Sequence, residues 1–186
     1  MGLDIVLGAN NQAELDAGDY NPSEHHLSRT FCNFMTRRND LAEGEEPELD
    51  QIGRLTGVDI SPLYEMESYT LPEELSNLLD YAEDEEEQQE IMARTAAANA
   101  AVRGNIDKVV AVVQGLLTRV ATIQDLPSLL QSDEFDTLRS AAYFASFSSP
   151  RMDAYENTFS QDLRNLMRFL DYAKSKGSET VFFVYG

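Results

Sequence analysis

Strand-like segments stand at the two ends of this chain, and most of what lies between them has helical periodicity. Leu3, Ile5 and Leu7 alternate with Asp4 and Val6 until Gly8-Ala9-Asn10-Asn11 breaks the pattern. From Thr180 to Tyr185, the run Val181, Phe182, Phe183, Val184 is apolar on both faces, as in a strand covered on both sides. A lone strand leaves its backbone N–H and C=O groups without partners. The two ends are therefore expected to meet, with Ile5 within pairing distance of the 181–184 segment. The expected fold is α+β and mainly α: one helical domain, residues 1–186, with a small antiparallel sheet joining the N- and C-terminal strands. Tyr143, Ala145 and Phe147 also alternate within Ala142 to Ser148, which leaves a third strand as an open alternative.

Between the ends, apolar residues recur in steps of three and four. A helix is expected from Glu24 to Arg38, capped by Ser23, with Leu27, Phe31, Phe34 and Met35 on one face. His25, Arg29, Cys32 and Thr36 would then share the opposite side, with His26, Asn33 and Arg37 in a stripe between. Glu48 to Thr56 suits a short helix ended by Gly57 in the left-handed cap position, and Ser61-Pro62 opens another turn. Leu71-Pro72-Glu73-Glu74 starts a helix on Leu75, Leu78, Leu79 and Ala82. Ile91 to Val120 keeps its spacing without proline, so one long helix is expected from Glu83 to Ala121, with Gly104-Asn105 its weakest point. Its alanine-rich stretch, Ala96 to Ala101, would let another element approach closely. The last helix is expected from Thr158 to Ser175.

Charge is distributed unevenly along this framework. Asp40 to Glu90 holds eighteen acids and one base, Arg54, and so carries −17 of the chain's formal −19. Residues 91–186 balance ten acids with ten bases. Such a chain should be repelled by nucleic acid and anionic lipid and attracted to basic proteins. No run approaches the ~18 apolar residues that span a bilayer. Neither a secretory leader nor a myristoylation pattern is visible, since Val6 stands where that pattern needs Ser or Thr. One cysteine, Cys32, excludes an intrachain disulfide and suits a reducing compartment. A cytoplasmic protein is expected.

The opening Met1-Gly2-Leu3-Asp4-Ile5-Val6-Leu7 resembles the N-terminus of a loose group of uncharacterised bacterial and phage proteins. The resemblance covers those seven residues, carries no catalytic motif and implies a setting rather than an activity.

Two candidate sites follow. Glu83, Asp84, Glu85, Glu86, Glu87 and Glu90 form the densest acidic cluster, either a solvated helix face or a docking surface for a basic protein partner. In the bacterial or phage setting, an inhibitor or immunity-type protein is its most concrete form. The alternative is a small-ligand site or enzyme on the His25, Arg29, Cys32 helix, assisted by Arg164 and Arg168 as an anion clamp. Residues seven apart on a helix are ~10 Å apart along its axis, too far for Cys32 and His25 to bond directly. No zinc, EF-hand, P-loop, dinucleotide, kinase or GxSxG pattern occurs, so no metal or cofactor is expected.

Overall fold

The structure, a computed structural model, describes residues 4–18, 25–36, 45–131, 142–144, 147 and 158–185. Strand β1 (Ile5–Ala9) pairs antiparallel with β2 (Val181–Tyr185), so the expected meeting of the two ends is realised. Ile5 lies opposite Tyr185, Leu7 opposite Phe183 and Ala9 opposite Val181, and this face turns to the core. On the other face Gly8 lies opposite Phe182, whose ring covers it so closely that a Cβ would sit 2.4 Å from a ring carbon. Tyr69 stacks on the same ring with centroids 3.9 Å apart. Among the described residues the sheet has two strands, so the apolar character of β2 on both faces comes from packed side chains. Ala142 to Phe144, part of the open third-strand alternative, forms a turn whose Tyr143 carbonyl accepts from the Phe159 N–H at 2.7 Å. Of the rest of that segment, only Phe147 is among the described residues.

Helices α1 (Gln12–Asp16), α2 (Arg29–Thr36), α3 (Glu48–Thr56) and α4 (Ser61–Glu65) follow β1, and a 3₁₀ turn (Met66–Ser68) continues α4. Then come α5 (Pro72–Asp80), α6 (Glu85–Val102), α7 (Ile106–Val120), α8 (Leu126–Leu129) and α9 (Phe159–Ser175). The fold is mainly helical, with the small sheet closing its ends. Helix α7 packs against α9, α3 and α4, and α9 also lies on β1. One connected core draws on residues from Ile5 to Phe183. Its aromatic centre sets Phe31, Phe34, Tyr143 and Phe144 around Phe159, with ring centroids 5.3 to 6.3 Å from it.

Two helices depart from the sequence expectation. Helix α2 starts at Arg29, not Glu24, with Ser28 as its cap: the Ser28 Oγ accepts from the Phe31 N–H at 3.2 Å. The preceding backbone is held by α9 instead. Asn165 donates to the His26 carbonyl at 2.6 Å, and the Ser28 N–H donates to the Asp162 carboxylate at 2.7 Å. Ser23, Arg37 and Arg38 lie outside the described residues.

The expected long helix is two. Gly104 adopts φ +72°, a left-handed conformation open to glycine, and the chain turns between α6 and α7. The turn is tied to the start of β2. Gly104 N–H donates to Thr180 Oγ1 at 2.9 Å, and Ile106 N–H to the Glu179 carbonyl at 3.2 Å. Helix α6 buries Ile91, Thr95 and Val102, while Ala96, Ala97, Ala100 and Ala101 face water rather than a neighbouring element.

Three side-chain amides fasten the peripheral parts, each bonding both the N–H and the C=O of one residue. Asn105 holds Val181 at 2.9 Å in both directions. Asn99 holds Thr70 at 2.8 and 2.9 Å, and Gln51 holds Gln131 at 2.7 Å twice. Each amide supplies the donor–acceptor pair that a neighbouring strand would have offered.

Candidate functional site

The residues proposed as a ligand site stand on or beside α2 and α9. His25 precedes α2 and is buried, stacked on Tyr172 and edge-on to Phe169 of α9. Arg29 is exposed and lies 3.8 Å from Asp4. Cys32, expected on a polar face, is only 1% exposed, with the Ile5 backbone of β1 and the Asp162 carboxylate of α9 acting on its thiol. Burial pushes its thiol pKa up, with the charges of Asp162 and Asp4 acting the same way and a bond to the Ile5 backbone opposing. A protonated, enclosed thiol is a poor nucleophile. Arg164 donates to Ser160 Oγ at 2.9 Å and to the Phe147 carbonyl at 3.5 Å, and Arg168 donates to Asn165 Oδ1. Burial lowers the Arg164 pKa, and Arg168 adds to that shift. Both guanidinium groups thus have acceptors within the fold.

At the centre of this region is a residue the sequence reading did not single out. Asp162, in the first turn of α9, is 2% exposed. Its carboxylate accepts from the Ser28 N–H and hydroxyl at 2.7 Å each, and from the Tyr143 hydroxyl at 3.3 Å. Burial pushes its pKa up to about 6, although all three hydrogen bonds pull the other way. The same desolvation, with the neighbouring carboxylate, drives the Tyr143 hydroxyl pKa upward. The sequence signal was slight: an acid beside Leu163 in the first turn of an amphipathic helix is ordinarily a dipole partner facing water.

The acidic middle is largely on the surface. Glu83, Asp84, Glu85, Glu86, Glu87 and Glu90 are all exposed, and among the described residues none of them forms an ion pair. Asp84 caps α6 by accepting from the Glu87 N–H at 2.9 Å, and Glu87 accepts from the Glu83 N–H at 2.7 Å. The carboxylates therefore define the α5–α6 turn and still face water. Glu46 is paired with Arg54 at 2.8 Å, which pulls its pKa down. Glu48, within the acidic run, is buried in the first turn of α3.

Apolar groups are exposed among these acids. Helix α5 buries none of its residues, and Leu78 (42% exposed), Tyr81 (88%) and Met92 (46%) stand on or beside the α5–α6 hairpin. Between α5, the 3₁₀ turn and β2 lies a groove of about 460 Å³ with Phe183 in its wall. Tyr69, Leu78, Tyr81 and Tyr185 give it aromatic and apolar sides, while Glu67 and Glu74 supply carboxylates. A smaller groove of about 260 Å³, lined by Glu87, Glu90 and Arg94, shares Leu78 and Tyr81 with it. The two residues form the ridge between them. Of the apolar residues expected to carry α5, Leu75 and Leu79 are half-buried and Leu78 is exposed. The groove could not be foreseen from sequence, because its walls come from segments more than a hundred residues apart.

Among the described residues no group of three or more His, Cys, Asp or Glu side chains is placed to hold a metal ion. No helix among them is long and apolar enough to cross a membrane. Comparison with known protein families, curated proteins and solved structures finds no match for this chain.

Proposed function

We propose that this chain is a non-enzymatic acidic interaction protein that engages a basic protein partner through its α5–α6 hairpin. The observation that carries this reading is the coincidence of exposed carboxylates with exposed Leu78, Tyr81 and Met92 on one hairpin. Interfaces of this kind combine an apolar centre with a charged rim, the first supplying affinity and the second steering and specificity. In the bacterial or phage setting suggested by residues 1–7, an inhibitor or immunity-type protein acting in the cytoplasm is the concrete form. The formal charge of −19 argues against nucleic acid as a direct partner. The ligand-site alternative receives less support from the geometry: Cys32 is enclosed and Arg164 and Arg168 already have acceptors within the fold.

The test is affinity capture with the intact chain at low and high salt, alongside a variant with Glu83, Glu85, Glu86, Glu87 and Glu90 changed to Gln. The expected result is a basic protein held at low salt, released at high salt and lost in the variant, while Cys32→Ser captures it normally. Capture indifferent to both salt and the five substitutions would overturn the reading.

A further inference from the structure

We infer that the groove between α5, the 3₁₀ turn and β2 receives an arginine side chain from a basic segment of the partner; this rests on the function proposed above. Three tyrosines, Tyr69, Tyr81 and Tyr185, share this groove with the carboxylates of Glu67 and Glu74. Both features suit a guanidinium. It is planar, weakly hydrated, stacks on aromatic faces and presents a fork of donors to carboxylates, whereas an ammonium gains less from a flat wall. The volume of about 460 Å³ falls within the range of side-chain and small-ligand pockets, so a whole arginine side chain fits with adjoining backbone to spare.

The groove is also partly organised in advance. Tyr185 donates its hydroxyl to Glu67 Oε1 at 2.6 Å, Glu74 Oε2 accepts the Leu71 N–H at 2.9 Å, and Tyr69 is held by its stack on Phe182. These contacts fix three walls before anything binds and lower the ordering cost of association. Tyr81 is the open wall, exposed on the ridge and able to fold over an incoming cation. Arg94 lines the neighbouring smaller groove.

Calorimetric titration with octa-arginine and octa-lysine peptides, which carry equal charge, separates groove recognition from general attraction to a polyanion. The intact chain should bind octa-arginine at least about fivefold more tightly than octa-lysine, around 1 kcal/mol by the usual conversion. Tyr81→Ala and the pair Glu67→Gln with Glu74→Gln should remove that preference. Both amide side chains keep the hydrogen-bond acceptors that hold Tyr185 and Leu71, so the groove should stay folded. Glu85→Gln with Glu86→Gln, the same change of charge outside the groove, should weaken both peptides alike and keep the preference. Equal affinity for the two peptides, or a preference that survives the groove variants, would overturn the groove while leaving the acidic-surface reading intact. No binding of either peptide at low salt would overturn both.

Discussion

Asp162 shows how one residue can set both a helix boundary and a pH response. Its carboxylate takes the N–H and hydroxyl of Ser28, so α2 begins one residue later, at Arg29, and His25 is left outside the helix. Its pKa stands at about 6 in the fold against an ordinary 3.8, so between those values the folded chain holds a proton that the unfolded chain has released. The associated stability is full below about pH 4 and is lost as pH rises through about 6. Two pKa units correspond to at most about 3 kcal/mol. Denaturant unfolding from pH 4 to 7 should show this slope in the natural chain, and Asp162→Asn should remove that part of it. Charges elsewhere contribute equally to both proteins and cancel in the comparison. Identical pH profiles would show that the buried carboxylate is not the titrating group.

At the scale of elements, the clearest structural device is the side-chain amide that substitutes for a strand. Asn105, 1% exposed, closes the turn between α6 and α7 onto Val181, and so connects the middle of the chain to the sheet that joins its ends. Asn105→Asp preserves the size of the side chain and its acceptor for the Val181 N–H. It also sets a carboxylate oxygen against the Val181 carbonyl and leaves that group without a donor. Equilibrium unfolding should show a loss of about 2–3 kcal/mol, the penalty for a buried polar group deprived of its partner. Asn99→Asp makes the same change at Thr70, where the clip is half-buried and water can replace the lost donor. Its loss should be under about 1 kcal/mol. Equal losses at the two positions would mean that burial does not set the cost.

At the scale of the whole molecule, charge and packing are segregated. The core gathers around α7, α9 and the sheet, while the exposed acids crowd the α5–α6 hairpin, where α5 buries nothing. Repulsion there is answered mainly by water and salt, so raising ionic strength should raise the melting temperature of the natural chain. The variant with Glu83, Glu85, Glu86, Glu87 and Glu90 changed to Gln should fold, melt no lower at low salt, and respond less to added salt. A variant that unfolds would instead show that these carboxylates hold the hairpin together. Glu87→Gln retains an acceptor for the Glu83 N–H, so such a loss could not be assigned to that bond.

Local chemistry alone determined a good part of this protein. Alternation at Leu3 to Leu7 and the doubly apolar 181–184 run required strands, and unpaired backbone groups required those strands to meet. Gly57 ended α3 in the left-handed conformation, and the spacing of Phe159, Leu163, Leu166 and Leu170 placed α9 within a residue of its observed start. A lack of compensating bases within Asp40 to Glu90 kept most of those acids in water. The misplaced features share a physical cause: each was decided by a partner distant in sequence. Periodicity carried a single helix through Gly104 because it contains no information about Thr180, Glu179 and Val181, whose hydrogen bonds turn the chain there. It placed Cys32 on a polar face because nothing within α2 reveals that the thiol meets the Ile5 backbone. It gave no reason to single out Asp162, because the donors that retain it, Ser28 and Tyr143, lie 134 and 19 residues away. The groove beside Tyr81 belongs with these, since Glu67 and Tyr185 become neighbours only when β2 returns to the start of the chain and brings the 3₁₀ turn against it.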